Sequence, residues 1–178
     1  GIFLSYKGLG ANLLHLAYCH EISKKFGPVT IITLNENLYQ VIKDDPMIKE
    51  IVYLNNFHKK FFDVVNLSKF FKKFNFDSFF IFYPSIRFFL ASKLANIKNI
   101  YTYPLFIKKK LHLVKAAKIF TEKHLKINSC PTETKIFVNR KKFQGLTKNN
   151  LKKIILGIGS SGPTTKWGYK NFSTLINK

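Results

Sequence analysis

Short apolar, β-branched runs alternate along this chain with stretches of helical periodicity, and nothing else in it limits the possible folds as sharply. Residues 2–6, 29–34, 51–54, 78–82 and 97–102 read as strands, and residues 11–26, 36–43, 68–74, 86–95 and 110–126 read as helices. Gly27-Pro28 stops the first helix and Asp44-Asp45-Pro46 breaks the chain after the second. A helix between successive strands carries the chain back to the edge it left, so the strands run parallel and both faces of the sheet are covered. The expected class is α/β, a Rossmann-like parallel sheet whose ligands collect where the carboxyl ends of the strands open into turns.

The alternation continues beyond that first sheet. Residues 135–138 read as one more short strand, and 139–152 as a polar, basic connector broken by Gln144-Gly145 and Asn149-Asn150. An apolar strand over 153–158 then runs into Gly159-Ser160-Ser161-Gly162-Pro163-Thr164-Thr165-Lys166-Trp167, with a helix over 169–176 behind it. Free backbone N–H groups, hydroxyls and a lysine meet at one point there, which suits an anionic ligand. The expected organisation is a first domain over 1–150, connector included, and the start of a second Rossmann-like domain over 151–178. Gly1 opens on a strand already under way, so the chain reads as a piece lacking residues at both ends.

An apolar content of 46% suffices for a core. The charge is one-sided, with 30 Lys+Arg against 9 Asp+Glu and a net charge of +21. All but two of the cations are lysine, and Asn, Ile and Phe are abundant with them, as a coding bias toward AT would give. The charge therefore has two readings, solvated faces or an anionic partner such as a membrane surface or a phosphorylated glycolipid. No nucleic-acid recognition motif accompanies it, and no nucleic-acid partner is expected. Cys19 and Cys130 stand alone and far apart, which fits reduced thiols in a cytoplasmic protein. No run approaches the roughly 18 apolar residues of a membrane span, so contact with a membrane would be peripheral. No Asp-x-Asp triplet or metal-ligand spacing is present, and neither a metal nor a cofactor is expected.

Two glycine turns sit at carboxyl ends of strands: Gly8-Leu9-Gly10 and Gly157 to Gly162. The second fits the dinucleotide template G-x-G-x-x-G, but Pro163 stands where the helix should continue, and a Walker A lysine is likewise replaced by that proline. The residues from 156 to 176, with Lys166-Trp167 and a helix holding Phe172 and Leu175-Ile176, resemble the opening of the second domain in glycosyltransferase family 9, the lipopolysaccharide heptosyltransferases. Gly8-Leu9-Gly10-Ala11-Asn12-Leu13-Leu14 resembles the family's first turn, and Asp45-Pro46 with Ile48 ahead of a strand resembles its second unit.

The resemblance implies a two-domain GT-B transferase that moves a sugar, heptose or similar, from a nucleotide-diphosphate donor to a lipopolysaccharide-core or related glycolipid acceptor at the inner face of a membrane, with inversion; this piece alone, without most of the donor pocket, is not expected to turn over. It implies that Gly8, Gly10, Ala11 and Asn12 face the acceptor. It also implies that Gly159, Ser160, Ser161, Thr164, Thr165 and Lys166 hold the donor phosphates, with Lys166 stabilising the leaving group. The family's first-turn aspartate, its catalytic base, falls on Ala11 here. His15, one helical turn on, is the substitute candidate, and Glu21 a second. A lone histidine on a partly apolar helix has also the plain reading of a packed core residue. Residues 57–74 interleave Phe and Lys, as in a helix that rests on an anionic bilayer or in one that buries Phe and solvates Lys. A dinucleotide-using Rossmann enzyme and a non-catalytic basic α/β domain that binds anions or nucleic acid are the other readings.

Overall fold

β1 (Ile2–Leu4) lies at the centre of a five-stranded sheet, and all three of its residues are buried. In the computed structural model the described residues are 1–55, 63–104, 111–137 and 168–176. The chain separates into two compact units, Gly1–Asn139 and Arg140–Lys178. In the first, β1 is followed by α1 (Leu9–Leu13), α2 (Leu16–Phe26), β2 (Val29–Thr33), α3 (Leu38–Ile42) and β3 (Ile48–Tyr53). Then come α4 (Asp63–Lys72), β4 (Ser78–Ile81), α5 (Ile86–Leu94), β5 (Asn99–Thr102) and α6 (Leu113–Leu125). The described part of the second unit is one helix, α7 (Tyr169–Ile176), at the place the sequence predicts.

The strands order as β3-β2-β1-β4-β5 and every pairing is parallel, with Ile2 opposite both Ile31 and Phe80. This is the Rossmann-like α/β sheet expected. The three inner strands β1, β2 and β4 bury both faces and read as short apolar runs, whereas the edge strands β3 and β5 are only partly buried. Successive residues alternate between two cores: Ile2, Leu4, Ile31, Phe80 and Phe82 pack with α2, α3 and α6, whereas Phe3, Ile32, Phe79 and Ile81 pack with α4 and α5.

Several elements differ from expectation for local reasons. The helix expected over 11–26 is broken at Leu14-His15. The His15 imidazole takes the Ala11 carbonyl at 2.7 Å, so the His15 N–H bonds instead to Asn12 O at 3.0 Å. Thr134 Oγ1 donates to the Leu13 carbonyl at 2.9 Å, satisfying an acceptor that the break exposes. β3 begins three residues early because Asp45 Oδ1 accepts from Met47 N at 2.9 Å and shapes the turn that delivers Ile48 to its partner Val29. Residues 135–137 belong to no strand. The strand expected over 153–158 lies outside the described residues.

Candidate functional site

The turns after β1, β2 and β4 open at the carboxyl edge of the sheet, and one buried amide ties the first two together. Asn12 is fully buried and its Nδ2 donates to the carbonyls of Tyr6 (2.8 Å) and Gly8 (2.7 Å). Its Oδ1 accepts from Thr33 Oγ1 at 3.0 Å, and Thr33 Oγ1 in turn accepts from Asn35 N at 3.1 Å. Asn35 Nδ2 closes the circuit on the Lys7 carbonyl at 2.6 Å. The sequence placed Asn12 facing an acceptor; both of its N–H donors are used within the turn. A Cβ added at Gly8 or Gly10 would meet nothing within 4 Å, so the backbone there is bare rather than packed.

His15 stands directly behind that turn, fully buried in the break between α1 and α2. Its ring lies 4.6 Å from Tyr6, 5.4 Å from Phe82 and 6.3 Å from Tyr18, centroid to centroid. A carbonyl can only accept, so the contact with Ala11 O assigns the proton to Nδ1 and leaves the Nε2 lone pair exposed chemically though not to solvent. Nε2 has no hydrogen-bond partner among the described residues. Burial holds the His15 pKa below its ordinary value, partly offset by the bond to Ala11, so the ring is neutral at pH 7. The Tyr103 hydroxyl, buried on the other side of Phe82, also lacks a partner among the described residues. Burial and the neighbouring Tyr6, Tyr18 and Cys19 push its pKa well up, and burial with Tyr83 raises that of Tyr6. Tyr6, Tyr18 and Tyr103 therefore stay protonated; the Tyr18 hydroxyl donates to the Val114 carbonyl at 3.0 Å, and no described residue donates to His15 Nε2.

Ala11 contributes its main-chain carbonyl, not its methyl, to this arrangement. Glu21 is not brought to the site: it lies six residues further along α2, roughly 9 Å by helix rise, and pairs with Lys24. Gly159, Ser160, Ser161, Thr164, Thr165 and Lys166 lie outside the described residues. Sequence reasoning missed Glu36, an exposed carboxylate three residues past β2 and the one acidic residue in the described turns at this edge. Its position just past a strand end was the available signal. Among the described residues no three His, Cys, Asp or Glu side chains gather as a metal set. No helix among them is long and apolar enough to cross a membrane.

No protein-family model matches the chain, and no curated protein matches it either. Among solved structures its backbone is similar to that of a glycosyl transferase family 9 protein from Veillonella parvula DSM 2008, with a TM-score of 0.60 and 17% sequence identity. The match covers 98% of this chain and 57% of that one, so the chain spans just over half the length of its structural neighbour. What the two share is a fold, the parallel, Rossmann-like α/β architecture.

Proposed function

We propose that the protein acts as a glycosyltransferase, with the carboxyl edge of this sheet receiving the acceptor and the second unit contributing to the donor site. The observation that carries the reading is the backbone likeness to a family 9 glycosyl transferase, which runs over nearly the whole chain. The bare Gly8–Gly10 turn, held by Asn12 and backed by a neutral imidazole, supports the reading locally.

In the proposed reaction an acceptor hydroxyl attacks the anomeric carbon of a nucleotide-diphosphate sugar. The new C–O bond forms as the bond to the diphosphate breaks, the nucleoside diphosphate leaves, and the configuration inverts. The hydroxyl proton goes to a base, for which His15 Nε2 and the Glu36 carboxylate are the candidates at this edge. Lys166, with Thr164, Thr165 and the backbone of Gly159, Ser160 and Ser161, would stabilise the departing charge. The acceptor class is a lipopolysaccharide-core or related glycolipid, with the protein working at the inner face of a membrane.

The test, on the full-length protein, is transfer of a radiolabelled sugar from a panel of nucleotide-diphosphate sugars to deacylated lipopolysaccharide core, read by product mass and by the anomeric proton coupling. A product heavier by one sugar, with release of nucleoside diphosphate, is expected. His15→Gln and Glu36→Gln then distinguish the base: the responsible one lowers kcat by about 100-fold or more with little change in KM. No transfer with any donor, or reduction of a nicotinamide cofactor in its place, would reject the reading.

A further inference from the structure

The outward face of α5 is apolar along its whole length. Ile86, Leu90 and Leu94 recur every four residues, so they form one stripe, and they are 52%, 39% and 53% exposed. The core requires none of them, because α5 meets the sheet through Phe88, Ala91 and Ser92. Cations border the stripe on both sides. The guanidinium of half-buried Arg87 lies 5.4 Å over the Phe88 ring, and the ammonium of exposed Lys93 lies 5.8 Å over the Phe89 ring, which holds the Lys93 charge beside the stripe. α4 packs beside α5 and adds Val65, 55% exposed, together with exposed Lys69 and Lys72. Between residues 63 and 98 the chain carries Lys69, Lys72, Lys73, Arg87, Lys93 and Lys98 against Asp63 and Asp77.

An apolar stripe of about 12 Å between cationic margins complements a bilayer with anionic headgroups, whose acyl boundary takes Leu and Ile while its phosphates take the Lys and Arg. A second copy of the chain fits poorly, since pairing this face with itself would set the same cations against each other. The stripe is also continuous with the site. Tyr83, 47% exposed, and Pro84 stand between the carboxyl end of β4 and the first turn of α5. We infer that the α4–α5 layer is a membrane-docking face, seated through Ile86, Leu90 and Leu94 on an anionic bilayer. The sequence pointed instead to the Phe residues of 57–74. Among the described ones Phe71 is buried and Phe70 and Phe74 pack against their neighbours, so the lysines of α4 serve this face but its rings do not.

The inference does not depend on the transferase reading, and its test involves no sugar. The full chain is sedimented with vesicles of phosphatidylethanolamine containing about 30% phosphatidylglycerol, or of phosphatidylcholine alone, at about 0.15 M salt, where charges are screened beyond about 8 Å. The protein is expected to pellet with the anionic vesicles and to stay in solution with the neutral ones. The double variant Leu90→Gln/Leu94→Gln should bind roughly tenfold or more weakly. Lys93→Gln should cost roughly fivefold, and Lys123→Gln, an equal change of net charge on the opposite layer, less than about twofold. All these positions are exposed, and unchanged circular dichroism and melting temperature verify the fold. The inference is overturned if the Leu variant binds like the parent protein, or if the two Lys variants weaken binding equally. It is also overturned if, without lipid, the Leu variant turns a dimer into a monomer in velocity sedimentation, which would give the stripe to a second copy.

Discussion

Replacing Asn12 by Ala removes three buried hydrogen bonds at once: to Tyr6 O at 2.8 Å, to Gly8 O at 2.7 Å and from Thr33 Oγ1 at 3.0 Å. The side chain is fully buried, so water does not replace it without rearrangement. At about 1 kcal/mol for each neutral bond the loss is about 3 kcal/mol, which for a unit of this size lowers the melting temperature by roughly 10 °C. Thr33→Val removes the bond to Asn12 and the one accepted from Asn35 N, about 2 kcal/mol. The two substitutions share one bond, so the double variant should fall about 1 kcal/mol short of the sum, about 4 rather than 5. Asn12→Asp, nearly the same shape, should cost at least as much as Ala, because a carboxylate cannot donate to the two carbonyls and is repelled by both. Thermal and urea unfolding followed by circular dichroism measure all four proteins. A shift below about 3 °C for Asn12→Ala, or strict additivity in the double variant, would refute the view that this amide fastens the first two turns together.

Three further outcomes follow from buried groups. His15 has a folded pKa below its ordinary 6.5, so the unfolded chain takes up a proton as pH falls through that value while the folded one does not; stability present above pH 6.5 should drop below it by up to about 1.4 kcal/mol per pH unit, and His15→Gln should flatten that slope in urea titrations at pH 7.5 and 5.5. Cys19 and Cys130 are buried free thiols, the first with its pKa pushed far up and the second to about 11; a thiol-disulfide indicator dye at pH 8 should titrate both in guanidinium and react with neither promptly in the native protein. His20 Nε2 meets Asp45 Oδ2 at 2.7 Å within the core, so His20→Leu strands a buried carboxylate and should destabilise by about 3 kcal/mol, while Asp45→Asn/His20→Gln should recover part of the loss in the same unfolding assay.

The fold was legible because its three inner strands bury both faces. Val29 to Thr33 and Ser78 to Phe82 are short, apolar and bounded by turn residues, and helical stretches separate them, so the parallel sheet follows from the pattern alone. The boundaries were less legible where side chains and backbone compete. No glycine or proline marks the break at Leu14-His15; it depends on an imidazole displacing an N–H from the Ala11 carbonyl, a contact that periodicity cannot reveal. The early start of β3 has the same kind of cause, with the Asp45 carboxylate shaping a turn that a sequence reading ends at Pro46.

The carboxyl edge of the sheet was legible in position, and the side chains that gather there only in part. Strand ends followed by Gly8-Leu9-Gly10 locate the carboxyl edge, and helical spacing puts His15 on the stripe of Ala11. Neither indicates that the Ala11 carbonyl fixes the imidazole as its Nδ1–H tautomer, which makes the neutral ring a base in form. Glu36 was read as the first residue of a helix, a place where an acid needs no function, whereas α3 begins at Leu38 and leaves Glu36 in the turn. The two candidate bases thus have complementary shortcomings. His15 has the lone pair but is fully buried among Tyr6, Tyr18 and Phe82; Glu36 is exposed but lies outside the hydrogen-bond network centred on Asn12. Access and fixed geometry, which one side chain could offer together, are divided here between Glu36 and His15.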